Sequence, residues 1–195
     1  HVRTMDWNMP FDLRPMTVNV EFWEHGRFAF AATTWAGFVG IFTGMRADGF
    51  SVSVNYRLCG GSVLRNLGMI PLLAWPVSTF VRHVLTRAAS FEEAQTMIDR
   101  VWLLAPCYII LAGTSPGEAC LFTRSRCGHE HPRTLHEHGA IVQCNTDHWE
   151  CDPLVDILES AERRSAAAEM VGRLSRARLE PGSALPGLWN FLHTA

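Results

Sequence analysis

The sequence lacks the patterns that mark several classes of protein. It has no basic excess, with 17 Lys and Arg against 19 Asp and Glu, and no basic run, which argues against a nucleic-acid partner. Its longest apolar stretch, residues 69–80, is short and is broken by Pro71 and Pro76, so no transmembrane helix is predicted. The sequence contains no Asn-X-Ser/Thr acceptor, so N-glycosylation gives no indication of compartment.

Cysteine occurs six times but never in a Cys-X-X-Cys pair. The pattern is too sparse in 195 residues to indicate a disulfide scaffold. Cys107, Cys120 and Cys144 lie in apolar runs and are interpreted as buried thiols. With 48% hydrophobic and 18% charged residues, the chain is globular and long enough for one domain with a sizeable core. Because it begins at His1, without a Met or a signal peptide, we expect a processed piece or a fragment.

Strands, helices, strands and helices follow one another along the chain. Alternating or continuous apolar runs predict strands at residues 17–22, 27–31, 38–42, 49–56, 107–112, 119–123 and 140–145. Two helices are predicted between the fourth and fifth strands, one with Pro76 at its first position and one with a Ser90-Phe-Glu-Glu93 capping box. Further helices are expected from Asp152 through residue 171 and over residues 188–192. This order predicts a single α+β domain.

Residues 139–149 form an apolar run that ends in polar residues. Ile141 and Val142 suit a buried strand, and Asn145 and Asp147 mark a turn at its end. A strand end can present an amide to a pocket, and the NH2 group of Asn145 is the type of donor that stabilises an oxyanion. On these residues alone, an ordinary turn asparagine is the favoured interpretation.

Two pairs of charged residues have simple structural interpretations. Arg3 and Asp6 are three positions apart, a spacing typical of a structural ion pair. Arg163 and Arg164 are adjacent in a predicted helix, where a solvated face is the ordinary interpretation. Neither pair indicates chemistry by itself.

Two further segments leave their roles open. The His-rich residues 127–138 contain zinc-ligand types, but their spacing is irregular, and Pro132 and Gly139 indicate a loop or hairpin tip, so no metal site is predicted. Residues 69–75 are apolar, and Pro71 prevents a regular helix through them. They are interpreted either as core or as the wall of a ligand channel.

Several short motifs occur in a specific order along the chain. They are His1-x-Arg3-x-Met5-Asp6, Phe38-Val-Gly-x-x-Thr43-Gly44, Ser90-Phe-Glu-x-Ala94, Gly113-Thr-Ser-Pro-Gly-Glu118, Ala119-x-x-x-x-Thr123-Arg124, Asn145-x-Asp147-His-Trp149 and Arg163-Arg164. Through almost the whole chain, their order and spacing resemble the catalytic β chain of the N-acylethanolamine acid amidase and acid ceramidase family. These are cholylglycine-hydrolase-like N-terminal nucleophile hydrolases.

The resemblance implies an αββα four-layer sandwich, with two antiparallel sheets between helix layers. It also implies a precursor that cleaves itself before a cysteine, whose thiolate attacks a fatty acyl amide while its own α-amino group serves as base. By this resemblance Arg3 holds the thiolate, Asp6 positions the α-amino group, Asn145 supplies the oxyanion hole and Arg163 is a further site residue. A cation beside a thiol lowers its pKa, and a fixed amide donor stabilises an oxyanion, so the chemistry agrees with these residue types.

The sequence departs from the family pattern in ways that affect its function. The family's nucleophile lies shortly before the residue matched by His1, and its last strands follow the residue matched by Ala195. We therefore expect residues 1–195 to be a single catalytic-domain fragment, truncated at both ends and inactive alone. Val2 replaces an expected glycine, and Tyr56 replaces an acidic residue.

The segment before the two arginines also departs from the family pattern. It is longer than in the family and lacks a paired Asp, so Arg164 is an alternative match to Arg163. The expected substrates are N-acylethanolamines or ceramide, with Phe42 and Tyr56 near the acyl pocket and no cofactor. The resemblance also implies a lysosomal location, a second (α) chain from the same precursor and association with a membrane surface. The alternatives are an amidase like penicillin acylase or bile salt hydrolase, and an inactive paralogue that binds lipid or a protein partner.

Overall fold

The fold is built on one antiparallel sheet. The computed structural model describes residues 1–4, 12–47, 49–58, 62–135, 139–149 and 160–176. Seven strands pair in the order in which they occur in the sequence: β1 (Thr17–Glu24), β2 (Arg27–Trp35), β3 (Thr43–Arg46), β4 (Phe50–Tyr56), β5 (Cys107–Gly113), β6 (Ala119–Arg124) and β7 (His129–Thr134). The predicted α+β class is confirmed. All the described strands belong to this sheet, and no second sheet occurs among the described residues.

Two of the helices between β4 and β5 cover one face of the sheet. Between β4 and β5 lie α1 (Val63–Gly68), α2 (Val77–Arg87) and α3 (Phe91–Arg100); α4 (Ser160–Arg176) follows the sheet, and a short 3-10 helix (Arg14–Met16) precedes it. Helix α2 packs on β2 and β3, and α3 packs on β5. Alternation on the central strands directs Val52, Ile109 and Phe122 into the core beneath these helices. In the described part of the chain, no helix has the length and apolar character needed to cross a membrane.

The opposite face of the central strands is also buried. Tyr108, Leu121 and Thr123 alternate with the helix-facing residues and are almost fully excluded from solvent. The segment 139–149 contacts this face, since the Asn55 amide donates to the Gln143 carbonyl at 3.0 Å. A sheet that is buried on both faces agrees with a layered sandwich. Helices α2 and α3 cover one face, and residues 139–149 cover part of the other.

Helix α3 begins as its sequence predicts. The Ser90 hydroxyl accepts a hydrogen bond from the Glu93 amide, and the Glu93 carboxylate accepts one from the Ala89 amide. These two bonds satisfy backbone donors that the first helical turn leaves unpaired. Pro76 is the N-cap of helix α2 rather than its first helical residue, so the helix begins at Val77, one position later than predicted.

The strand predicted over residues 38–42 is wrong. The third strand is β3, and the apolar residues before it pack against helix α2. The Ile41 amide donates to the Ser78 carbonyl of α2 at 3.0 Å, and Ile41 is buried. A Cβ on Gly40 would lie 2.3 Å from the Ser78 Oγ, so only glycine permits this approach.

The strand predicted over residues 140–145 is also wrong, and β7 was missed. Residues 141–144 are irregular and are held through the Asn55 side chain rather than through a strand ladder. The His-rich segment interpreted as a loop instead contains β7, despite Pro132. Among the described strands β7 lies at the edge of the sheet, and an edge strand tolerates proline because one of its sides needs no ladder hydrogen bonds.

The cap of α3 gives a test of local stability. Ser90→Ala should lower the free energy of unfolding by about 1 kcal/mol, because the Glu93 amide loses its acceptor. Ser90→Asp should retain most of it, since the carboxylate can accept the same bond. Urea denaturation measures both. Thr79→Ala, at an exposed position of α2, is the control; an equal loss in that variant would contradict a capping role for Ser90.

Candidate active site

The first residues lie along strand β4. The His1 ring nitrogens are 2.9 and 2.8 Å from the hydroxyls of Ser51 and Ser53. The Arg3 guanidinium donates to the Thr43 hydroxyl, and its Nη2 donates to the Val54 carbonyl at 2.6 Å. Arg3 is half-buried, so its charge is fixed at the end of β4 rather than in bulk solvent.

Four groups fix Asn145. Its Nδ2 donates to the Tyr56 carbonyl at 2.9 Å, its carbonyl accepts from the Leu58 amide at 3.0 Å, and its amide donates to the Ser160 hydroxyl at 3.1 Å. Its Oδ1 accepts from the Arg163 guanidinium at 3.0 Å. Because a guanidinium has only donors, this contact assigns the amide oxygen and hence the NH2 group. The NH2 group has two hydrogens, and the Tyr56 carbonyl uses one.

Arg3 and Asn145 meet at the same edge of β4. They bind the carbonyls of Val54 and Tyr56, two residues apart. Such carbonyls point towards the same neighbouring strand and lie roughly 7 Å apart. A position beyond the start of β3 therefore has a cation on one side and an amide donor on the other.

The two arginines of α4 have different contacts. Arg163 touches Asn145 directly, whereas Arg164 donates to the Thr146 and Asp147 carbonyls at 3.3 and 3.4 Å. Both side chains are half-buried, so the solvated-face interpretation is wrong. Of the two alternative matches, Arg163 is the one that the structure brings to Asn145.

A buried ionic cluster lies beside Asn145, and sequence reasoning missed it. The carboxylate of Asp147 accepts from the Arg57 Nε and Nη2 at 2.8 and 2.7 Å and from the Tyr108 hydroxyl at 2.5 Å. Burial by itself would lower the pKa of Arg57, but its hydrogen bonds to Asp147 and Glu130 raise it overall. The only sequence signal was indirect: Asp147 stands in the motif that contains Asn145, and Arg57 follows the altered position 56.

Phe42, Tyr56 and Asp6 were also predicted to belong to the site. Phe42 is half-buried and stacked on Phe38 with ring centroids 5.4 Å apart, and its carbonyl accepts from the Val54 amide at 2.9 Å. Tyr56 has 57% of its surface exposed. Phe42 and Tyr56 therefore lie next to the β4 carbonyls that Arg3 and Asn145 bind. Asp6 lies outside the described residues, so its predicted proximity to Arg3 stays a prediction.

Cys107 and the His-rich segment are candidate sources of a reactive thiol and a metal site. Burial raises the pKa of the Cys107 thiol to about 12, which keeps it protonated and unreactive at neutral pH. No group of three His, Cys, Asp or Glu with metal-site geometry occurs in the described part of the chain. His129 instead lies 2.8 Å from the Asp99 carboxylate, while His136 and His138 lie outside the described residues.

A cavity of about 660 Å³ lies on the Arg164 side of residues 139–149. Arg133, Val142, His148 and α4 residues line it; Arg3, Asn145 and Arg163 are not among its described lining residues. Burial, and then the charge of Arg164, lower the pKa of Arg133. The described cavity is thus behind the Asn145 segment, separate from the Arg3 edge of β4.

Comparisons with known proteins agree in sequence and in fold. No protein-family model matches the sequence. Acid ceramidase from Heterocephalus glaber is 32% identical over 206 residues, which cover 92% of this chain and 49% of the relative. N-acylethanolamine-hydrolyzing acid amidase from Mus musculus is 32% identical over 185 residues, with the same two coverages of 92% and 49%. The chain thus spans about half the length of the curated relatives it matches.

A solved structure shows the same architecture. The Caenorhabditis elegans ortholog of N-acylethanolamine-hydrolyzing acid amidase superposes with a TM-score of 0.76 at 28% identity, covering 94% of this chain and 77% of that one. The fold is that of the N-terminal nucleophile hydrolases. Together these similarities show that the chain belongs to the family of acid ceramidase and N-acylethanolamine-hydrolysing acid amidase.

Proposed function

We propose that this chain provides the catalytic groups of an amidase that hydrolyses fatty acyl amides, either N-acylethanolamines or ceramides, to fatty acid and amine. The observation that carries the proposal is the placement of Arg3 and Asn145 on carbonyls two residues apart at one edge of β4. Both curated relatives bear names of amide-hydrolysing enzymes. The chemistry needs a cation for a thiolate and a neutral donor for an oxyanion, and these are the two groups present.

In the proposed reaction, a cysteine that precedes His1 in the full-length protein is the nucleophile. Its thiolate, held by Arg3, attacks the amide carbonyl, and the carbonyl oxygen becomes an oxyanion that accepts from the free Asn145 amide hydrogen. Arg163 holds the Asn145 oxygen so that the NH2 group faces that oxyanion. The α-amino group of the cysteine, positioned by Asp6, carries the thiol proton to the departing amine. Water then cleaves the thioester to release the fatty acid.

Asn145 gives the sharpest test. Asn145→Ala in the full-length protein should lower kcat about 100- to 1,000-fold with little change in KM, because an oxyanion donor acts mainly on the transition state. Fatty acid release from an acylethanolamide and a ceramide measures it. Asn19→Ala, an exposed position on β1, is the matched control. Full activity of Asn145→Ala would contradict the assignment, and faster hydrolysis of a conjugated bile salt would favour the bile-salt-hydrolase alternative.

Arg3 should control the ionisation of the nucleophile. Arg3→Ala should move the pH midpoint of thiol alkylation by iodoacetamide upwards by about one unit or more, because the thiolate loses its neighbouring cation. Mass spectrometry identifies the modified cysteine and separates it from the exposed Cys127. Arg14→Ala, which removes an exposed ion pair with Asp12, should leave the midpoint unchanged. An unchanged midpoint in Arg3→Ala would argue against a thiolate-holding role.

The inactive-paralogue alternative makes the opposite prediction for the whole protein. It draws support from Tyr56, whose exposed ring stands where the family carries an acid. Under that alternative, the full-length gene encodes no cysteine shortly before His1. Under the amidase proposal such a cysteine is present, together with a second chain from the same precursor. Both relatives are named acid hydrolases, which supports a lysosomal location for this one.

An exposed apolar segment supports association with a membrane surface. Met69 and Ala74 are buried, so the core interpretation of residues 69–75 holds for part of that segment. The larger side chains from α1 to residue 73 face solvent: Val63, Leu64, Leu67, Ile70, Leu72 and Leu73. A contiguous exposed patch of this kind marks an interaction site, and lipid substrates reside in membranes.

The membrane proposal predicts a loss of vesicle binding. Replacing Leu64 and Leu67 together by Ser should lower co-sedimentation with phospholipid vesicles several-fold, because two exposed apolar side chains are removed from the patch. Val39→Ser changes an exposed apolar residue elsewhere and should have no effect. Equal binding by the double variant and the wild type would exclude the segment as a membrane contact.

A further inference from the structure

The cluster of Arg57, Asp147 and Tyr108 contains none of the groups assigned to the reaction. All three side chains are deeply buried, with 6%, 1% and 0% of their surface exposed. Asp147 accepts two bonds from one guanidinium and one from a phenol, which fixes the position of its carboxylate in every direction. Charged groups are rarely buried in this way unless paired, so the cluster calls for a structural or functional reason.

The cluster is joined to Asn145 through consecutive residues of one strand end. Tyr56 accepts from the Asn145 side chain, Arg57 binds Asp147, and Leu58 donates to the Asn145 carbonyl. Three successive residues therefore hold the segment that contains Asn145 at three points.

Every second residue of the segment from 145 to 149 contacts residues 56–58. The Arg57 guanidinium carbon lies 5.9 Å from the Trp149 ring centroid. Residues 145, 147 and 149 thus all contact residues 56–58, and the carbonyls of Thr146 and Asp147 accept from Arg164 on α4. The residues of the Asn-x-Asp-x-Trp motif are therefore those through which this irregular segment contacts the end of β4 and the two residues that follow it.

Position matters for an oxyanion donor more than for most groups. A displacement of about 1 Å in a catalytic group can cost on the order of 100-fold in rate. Asn145 lies on an irregular segment without a strand ladder, so its position depends on side-chain contacts. Arg57 and Asp147 provide the one charged, doubly hydrogen-bonded contact between that segment and the strand that also holds Arg3, among the described residues.

We infer that Arg57, Asp147 and Tyr108 are positioning residues that set the distance between the oxyanion donor Asn145 and the thiolate-holding Arg3. The cluster does not touch the substrate and transfers no proton. It acts by fixing residues 145–147 to the end of β4. This inference rests on the proposed amidase function.

The experiment compares Asp147→Asn, Tyr108→Phe, Arg57→Lys and Arg57→Met in the full-length protein. Rates are expressed per nucleophilic thiol, titrated with iodoacetamide. Asp147→Asn should lower kcat about 10- to 100-fold and leave KM within about twofold, because the donor shifts relative to the transition state. Tyr108→Phe removes one of three bonds and should cost about 3- to 10-fold. Arg57→Lys should retain more activity than Arg57→Met. Glu169→Gln, which breaks an exposed ion pair on α4, is the matched control.

Two readouts separate positioning from a merely structural role. A fatty aldehyde forms a tetrahedral oxyanion adduct with the thiolate, so its affinity should fall by the same factor as kcat/KM. Alkylation by iodoacetamide forms no oxyanion, and its rate should not change. If the variants lose thermal stability but keep wild-type kcat per titrated thiol, or if alkylation falls in step with hydrolysis, the inference is wrong.

Failure of the inference is distinguishable from failure of the proposed function. If the wild-type protein neither titrates nor hydrolyses an acyl amide, the amidase proposal fails and the inference fails with it. If the wild type is active and Asn145→Ala is impaired while Asp147→Asn and Tyr108→Phe are not, the inference alone fails. Should Asp147→Asn not fold, Tyr108→Phe and Arg57→Lys decide the question by the same readouts.

Discussion

The end of strand β4 is the constraint on which the candidate site depends. Beyond the start of β3, the carbonyls of residues 54 and 56 have lost their strand partner, and backbone carbonyls in folded proteins are ordinarily paired. Arg3 and Asn145 satisfy these two carbonyls. Groups separated by more than 140 positions in the sequence are therefore brought together by the ordinary requirement that backbone acceptors be paired, and the site occupies the place where the sheet stops pairing.

A buried ion pair accompanies this arrangement, and its energetics explain why it occurs where it does. Removing one partner from a buried pair costs about 3–5 kcal/mol, whereas replacing the whole pair by apolar residues is often neutral. Arg57 and Asp147 are thus a poor means of adding stability but an effective means of fixing geometry, because the two parallel bonds permit only one relative orientation. The interaction is located at the junction of β4 with an irregular segment, where apolar packing alone would leave the register undetermined.

Sequence reasoning succeeded where the signal is local and failed where tertiary contacts decide. The Ser90 capping box and the strand predicted over residues 49–56 are specified by neighbouring residues; the capping box occurs as predicted, and the strand spans Phe50–Tyr56. Residues 38–42 and 140–145 are equally apolar, but the first packs on α2 through Gly40 and the second is held by Asn55, contacts that no local pattern encodes. Pro132 favoured a loop, yet an edge strand tolerates it. Arg3 and Arg163 were nominated only through the family resemblance, and for Asn145 the sequence alone favoured an ordinary turn asparagine, because spacing along the chain carries no geometric information.

The backbone and the side chain of Tyr56 have different roles, and only the side chain differs from the acidic residue that the family resemblance predicts. The Asn145 amide binds the carbonyl of Tyr56, and a carbonyl is the same whatever the side chain. The hydrogen bond from Asn145 is therefore compatible with either tyrosine or the expected acidic residue at position 56. The Tyr56 side chain, by contrast, is exposed beside the hydrogen bond from Asn145. It offers an aromatic surface and a hydroxyl where the resemblance predicts a carboxylate. Compared with the acid that the resemblance predicts at position 56, tyrosine thus removes a negative charge beside the candidate site while the bond between Asn145 and the backbone is kept. If Asn145 is the proposed oxyanion donor, we expect any functional difference caused by this position to come from substrate contacts rather than from the position of Asn145.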